Sequence, residues 1–175
     1  MRDIEILVRY IAFAFFLPEH EGNLKNFLDF TCKQLNEEWG KREEEIKAQM
    51  RKFESAVTTG ISVFGENGFG SRWDSEEGMF TGRRNKAILD VELFYFSDSE
   101  IAKKASRRKK AVVEGFKRLW VGSVEFRNSV ESTTKSLGAT STRLSLWGSE
   151  LKKVLGLDFN IPELKKKRIK FSGFW

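Results

Sequence analysis

The chain is poor in the residues that make cross-links and metal centres. It has 1 cysteine and 1 histidine among 175 residues. Cys32 alone cannot close an intramolecular disulfide, which fits a reducing compartment, and a cytoplasmic protein is expected. Cys32 and His20 together cannot supply a four-ligand zinc site, so no metal and no cofactor are expected. His20 stands between Glu19 and Glu21 in the turn segment LPEHEGN, has no evident nucleophile beside it, and reads as exposed. Cys32 reads as buried on a helix. With only 2 prolines, few helices are interrupted. Long uncharged apolar runs are missing too. The stretch YIAFAFFLP is too short to span a bilayer. Asp3, Glu5 and Arg9 precede it and no small-residue cleavage site follows, so it reads as a buried helix and not a signal peptide.

What the chain does have is phenylalanine and unevenly placed charge. There are 16 Phe residues, and hydrophobic residues make up 40% of the chain against 32% charged. That is the composition of one globular domain with an aromatic core. Residues 1–98 carry 13 Lys and Arg against 18 Asp and Glu, net −5, while residues 99–175 carry 18 against 7, net +11. The second half therefore suits a polyanion or an acidic protein surface. Two runs concentrate the charge. KKASRRKK contributes Lys103, Lys104, Arg107, Arg108, Lys109 and Lys110; KKKRIK contributes Lys165, Lys166, Lys167 and Arg168. These are the candidate nucleic-acid contacts, acting on phosphates in a salt-sensitive way. The plainer alternatives are a solvated face or a dock for an acidic subunit. Phe171, Phe174 and Trp175 either stack on bases or pack back onto the fold.

Apolar residues recur at helical spacing along most of the chain. The pattern predicts a first helix over 2–16 and a second over 23–39, capped by Asn23. Gly40 then breaks the pattern, and a long helix runs from about 42 to 64. Residues 65–82, GENGFGSRWDSEEGMFTG, read as a long glycine-rich loop. Residues 81–98 read as an amphipathic helix with Arg83, Arg84 and Asn85 crowding its first turn. A basic helix is expected over 99–120, weak patterning over 121–139, and a last helix from Thr140 or Ser141 to Gly156. No convincing period-2 strand appears. The expectation is an all-α fold, a single helical domain of about six helices with a long Gly-rich loop. It covers 1–156, followed by a basic, aromatic tail over 157–175.

Chemical motifs are sparse. The spacing of Gly65, Gly68 and Gly70 fits neither a dinucleotide fold nor a P-loop. Glu150 with Lys152, and Glu163 with Lys165, suggest half of a metal-dependent nuclease, but no strand bearing a partner Asp precedes them. Asp90 and Glu92 are about 200° apart on a helix and do not converge. No catalytic residue is expected.

The order of the motifs carries more. The helix DIEILVRYIAF, then GNLKNFLDF, a long helix ending in FGENGFGSR, then RRNKAILD, and TSTR opening a late helix, resembles the helical region of GmrSD-type restriction proteins, the GmrS-like domain family. The resemblance covers roughly residues 2–155. It rests on Arg9, Phe27-Leu28, Phe69, Arg84-Asn85 with Asp90, and Arg143; Arg83 adjoins that motif. It implies anti-phage restriction, in which an α/β domain with an Asp-Gly-Gln-Gln-Arg motif hydrolyses nucleotide and a nuclease domain cuts DNA. No Asp-Gly-Gln-Gln-Arg stretch occurs here, and one histidine cannot build a His-Asn-His nuclease. The expected role is a non-catalytic scaffold with a protein partner that carries the nucleotide-binding domain, DNA as a second partner, and no membrane. Arg84, Asn85 and Asp90 then either hold the helical core, Asp90 pairing with Arg9 or Arg143, or face that partner.

Overall fold

A computed structural model describes residues 2–132 and 134–175. It is mostly helical, with two small hairpins. α1 spans Arg2–Phe16, and a short 3-10 turn, Leu17–Glu19, follows. α2 runs from Leu24 to Gly68, and Asn23 caps it by accepting from the Asn26 N–H at 3.2 Å. The expected end of the helix at Gly40 is not there. A lone glycine costs a helix only about 1 kcal/mol, and Arg42 reaches Glu38 and Glu45 on either side.

α2 is nonetheless not straight. Tyr10 and Phe13, one turn apart on α1, meet Phe53 and Phe27 at ring separations of 5.3 and 6.0 Å. A straight helix would put residues 27 and 53 about 39 Å apart. α2 therefore bends between them, and both of its arms flank α1. The inward positions also differ in part from the stripe that steps of three and four predict, Ile46, Met50, Phe53, Val57, Ile61 and Phe64. Ala56, Gly60, Val63 and Phe64 are buried, while Met50 and Ile61 are exposed. Gly60 is required because a Cβ there would sit 2.2 Å from the Phe69 ring. Cys32 is exposed, contrary to expectation, since Thr31 and Leu35 take the inward phase of that turn.

The glycine-rich segment is a hairpin and not a loop. β1 (Ser71–Asp74) pairs antiparallel with β2 (Met79–Arg84). Asp74 closes the turn by accepting from the Glu76 and Glu77 N–H groups. Trp73 and Phe80 face each other across the strands, and Phe80 reaches Phe64 and Phe116. So Arg83 and Arg84 end a strand, and Asn85 is the cap of the next helix, α3 (Lys86–Phe96). α3 is the centre of the molecule: every residue from Ala87 to Phe96 is buried.

The expected basic helix is two helices, α4 (Ser99–Arg107) and α5 (Lys109–Gly122), jointed at Arg108. The weakly patterned stretch forms α6 (Val124–Glu131). α7 (Leu137–Leu155) starts earlier than expected: Ser136 caps it, and Thr140 and Ser141 lie buried inside it. The chain ends in a second hairpin, β3 (Glu163–Lys165) with β4 (Arg168–Lys170). Ile169 buries its side chain fully, and Phe171 and Phe174 pack onto Phe94. Of the two alternatives for these phenylalanines, the structure takes packing. No helix among the described residues is long and apolar enough to cross a membrane.

Candidate functional site: a buried arginine–aspartate cluster and two basic surfaces

The residues singled out by motif order fall into one region. Asn85 organises its edge. Its Oδ1 accepts from the Ala87 and Ile88 N–H groups at 2.8 and 3.2 Å, capping α3. Its Nδ2 donates to the Val130 carbonyl of α6 at 2.8 Å, and its backbone N–H to the Gly70 carbonyl at 2.7 Å. One asparagine thus ties the start of the central helix to the first hairpin and to α6. Arg84 donates to the carbonyls of Phe69 and Glu66 at the end of α2. It satisfies acceptors that a helix end leaves unpaired. Arg83 stays on the exposed side of the hairpin and joins none of this.

Asp90 lies one turn into α3 and is 5% exposed. It receives Arg9 in a bidentate pair, Nε to Oδ1 at 2.8 Å and Nη2 to Oδ2. Arg143 of α7, fully buried, donates from Nη2 to the same Oδ2 at 3.4 Å. Three helices far apart in the chain are locked by one carboxylate. Two guanidinium groups share it, so the cluster carries an excess of positive charge. The surplus meets backbone dipoles: Arg143 Nη1 donates to the carbonyls of Ser129 and Thr134 at 3.3 and 2.9 Å. Its Nε has no partner among the described residues. Burial pulls the Arg143 guanidinium down to about 10, with Asp90 acting against it and Arg9 adding to it. Burial opposes ionised Arg9 as well, but the Asp90 carboxylate outweighs it and holds Arg9 above its usual value.

Two more ionisable groups lie nearby that sequence reading did not place. His20 is fully buried, not exposed in its turn. It stacks on Phe27 at 4.8 Å, accepts from the Gly22 N–H at Nδ1, and meets Thr140 Oγ1 at 3.4 Å through Nε2. That pairing assigns the ring proton to Nε2. Burial, and then the Arg143 charge, lower it to about 4, so it is neutral at pH 7. Glu92, also fully buried, accepts from the Gly70 N–H at 2.6 Å. Its other oxygen has no partner among the described residues. Burial raises Glu92 well above the carboxylate range, more than Gly70 and Arg84 lower it. Nothing in the sequence marks His20 as inward-facing. Glu92 leaves one trace, its place in a helix otherwise wholly apolar on that side.

Chemically, the cluster is an electrostatic lock. Among the described residues, the side-chain hydrogen-bond partner of His20 is the Thr140 hydroxyl. Among the described residues no group of three His, Cys, Asp or Glu is placed to hold a metal.

The basic runs form two separate surfaces, each touching the last turns of α7. In the first, Lys103, Lys104 and Arg107 lie on α4, while Lys109 and Lys110 open α5. Arg108 is partly consumed by the fold, donating to the Val154 carbonyl at 3.2 Å. Lys104 and Arg107 complement the dipole at the end of α4. In the second, Lys165 to Arg168 form the β3–β4 hairpin and its turn. A groove of about 710 Å³ opens at its base, walled by Lys152, Lys165, Lys170, Phe159, Asn160 and Phe171. Glu150 bonds Arg118 at 2.7 Å and Glu163 pairs with Lys165 at 2.5 Å, and among the described residues neither belongs to a group of three metal-ligating side chains.

Comparison with protein-family models, curated proteins and solved structures gives no match for this chain.

Proposed function

We propose that the chain is a non-catalytic helical scaffold of a GmrSD-like anti-phage restriction system, working in the cytoplasm. It docks a protein partner that carries the Asp-Gly-Gln-Gln-Arg nucleotide-binding domain, and it contacts DNA as a second partner. The observation that carries this reading is the convergence of Arg9, Asn85, Asp90 and Arg143, with Arg84 at the edge. Motif order names these residues from distant parts of the chain; Arg9, Asp90 and Arg143 meet in one buried network, and Asn85 and Arg84 bond backbone groups beside it. A motif engaged in core architecture supports a scaffold more than a catalyst, because its polar groups already face each other.

The test is a pair of assays on the purified chain with Mg²⁺: nucleotide hydrolysis and cleavage of plasmid DNA. Neither activity is expected above background, and addition of the partner should supply both. Turnover by the chain alone that is lost in Asp90→Asn, with the fold intact by circular dichroism, would make the cluster an active site and end the scaffold reading.

A second reading is favoured by a separate observation, the two exposed basic surfaces on either side of α7. In it the chain binds nucleic acid on its own. Salt-dependent binding by the isolated chain supports it.

A further inference from the structure

The turn of the second hairpin is built from the wrong residues for its shape. Lys165 pairs with Arg168, which leaves a two-residue connection, Lys166 and Lys167. Both have positive φ, 50° and 61°. Two successive left-handed residues make the turn that matches strand twist, and Asn-Gly is what such a turn prefers. A side chain with a Cβ is strained there, and two in succession are strained twice. These are the only non-glycine residues with positive φ among those described. A solvated loop gains nothing from lysine at these positions.

The rest of the hairpin fits a presented finger. Ile169 is fully buried and anchors it against the 3-10 turn, while all three residues of β3 face solvent. Lys165 pairs with Glu163, and Arg168 lies 3.7 Å from Glu21. No carboxylate among the described residues is within ion-pair reach of Lys166, Lys167 or Lys170. The tip is therefore an uncompensated pair of charges on a narrow ribbon, with Lys152 and Lys170 behind it in the groove.

We propose that the β3–β4 hairpin is a finger for duplex DNA, with Lys166 and Lys167 at its tip contacting phosphates along the major groove. A two-stranded ribbon fits that groove, whereas the deep, narrow major groove of duplex RNA does not admit it. Single strands are less favoured because two of the tail's rings are packed into the fold, leaving Trp175, 58% exposed, as its open ring. Phe171 and Phe174 pack on Phe94, and the Trp175 indole N–H is donated to Asp98. This inference rests on the DNA contact in the scaffold reading, but it is tested on the purified chain alone and so fails or stands apart from partner recovery.

The experiment is fluorescence anisotropy with a labelled DNA duplex and its single strand, at about 50 and about 200 mM salt. Lys166→Asn/Lys167→Gly is the decisive variant, because it gives the turn its preferred residues while removing both charges. It should melt at a higher temperature than the wild type and bind duplex about tenfold more weakly at low salt. Its slope of log K against log salt should be shallower by about 1.8. Lys167→Gln, which alters charge with little change to the turn, should lower the slope by about 0.9. The proposal is overturned if the wild type fails to bind duplex at low salt or prefers the single strand. It is equally overturned if both variants keep the wild-type slope, or if Lys109→Gln/Lys110→Gln alone abolishes binding.

Discussion

Asp90 holds two buried arginines, of which Arg9 has a second, more distant carboxylate in Glu5 at 3.9 Å and Arg143 has none among the described residues. Removing one partner of such a cluster costs about 3–5 kcal/mol, since the charges left behind stay desolvated. Asp90→Ala should therefore lose that much in urea unfolding, and Asp90→Leu combined with Arg9→Met and Arg143→Met should lose markedly less than the single change. The pH dependence follows from His20 and Glu92. The His20 value is lower in the fold, about 4, than its ordinary 6.5. Its contribution is complete above 6.5 and is lost as pH falls toward 4, a total of about 2–4 kcal/mol. Glu92 is raised in the fold, so its term is complete below 4.5 and is lost as pH rises. Above 4.5 the two slopes oppose each other, and the His20 slope ends at 6.5. Glu92→Gln keeps the acceptor for Gly70 and should remove the Glu92 share of the fall in stability above pH 4.5, read as melting temperature against pH. An unchanged slope in that variant contradicts the assignment.

Among the elements, α3 and α7 meet through a contact with no slack. A Cβ on Gly148 would lie 2.2 Å from the Tyr95 hydroxyl, which donates to the Leu144 carbonyl at 2.7 Å. Gly148→Ala should cost about 1–3 kcal/mol by overpacking. Gly148→Ala/Tyr95→Phe should recover only part of that, because the ring carbon that bore the hydroxyl still lies 2.7 Å from the new Cβ; calorimetry on the set of variants checks it. This scale is also where sequence reading fared unevenly. The 3.6-residue period found α1, the body of α2 and the end of α7, because their buried faces repeat over several turns. It missed both hairpins, whose strands of 3 to 6 residues are too short for alternation to rise above chance. It placed Arg83 and Arg84 on a helix because α3 is buried on every face and its start is fixed by Asn85, not by hydrophobic phase. The cap of α7 was set four residues late, since Thr140 and Ser141 are capping residue types used here inside the helix. Asn23 was read correctly because its cap and its apolar run adjoin.

For the whole molecule, charge and core are divided along the chain. The acidic half supplies α1, α2 and the central α3, and the basic half closes around them with α4 to α7 and the terminal hairpin. The candidate cluster was partly legible. Motif order named Arg9, Asn85, Asp90 and Arg143, and the pairing of Asp90 with an arginine follows from the need to neutralise a buried charge. Capture of both arginines by one carboxylate, the inward turn of His20 and the full burial of Glu92 were not legible, because each depends on tertiary packing. The scaffold account predicts that the molecule works through what it holds. Its most direct test is recovery of the tagged chain from its own cells, with and without nuclease treatment, followed by mass spectrometry. The account predicts a stoichiometric, nuclease-resistant partner that contains an Asp-Gly-Gln-Gln-Arg nucleotide-binding domain. A chain that comes back alone as a monomer, or only with nucleic acid that nuclease removes, contradicts it.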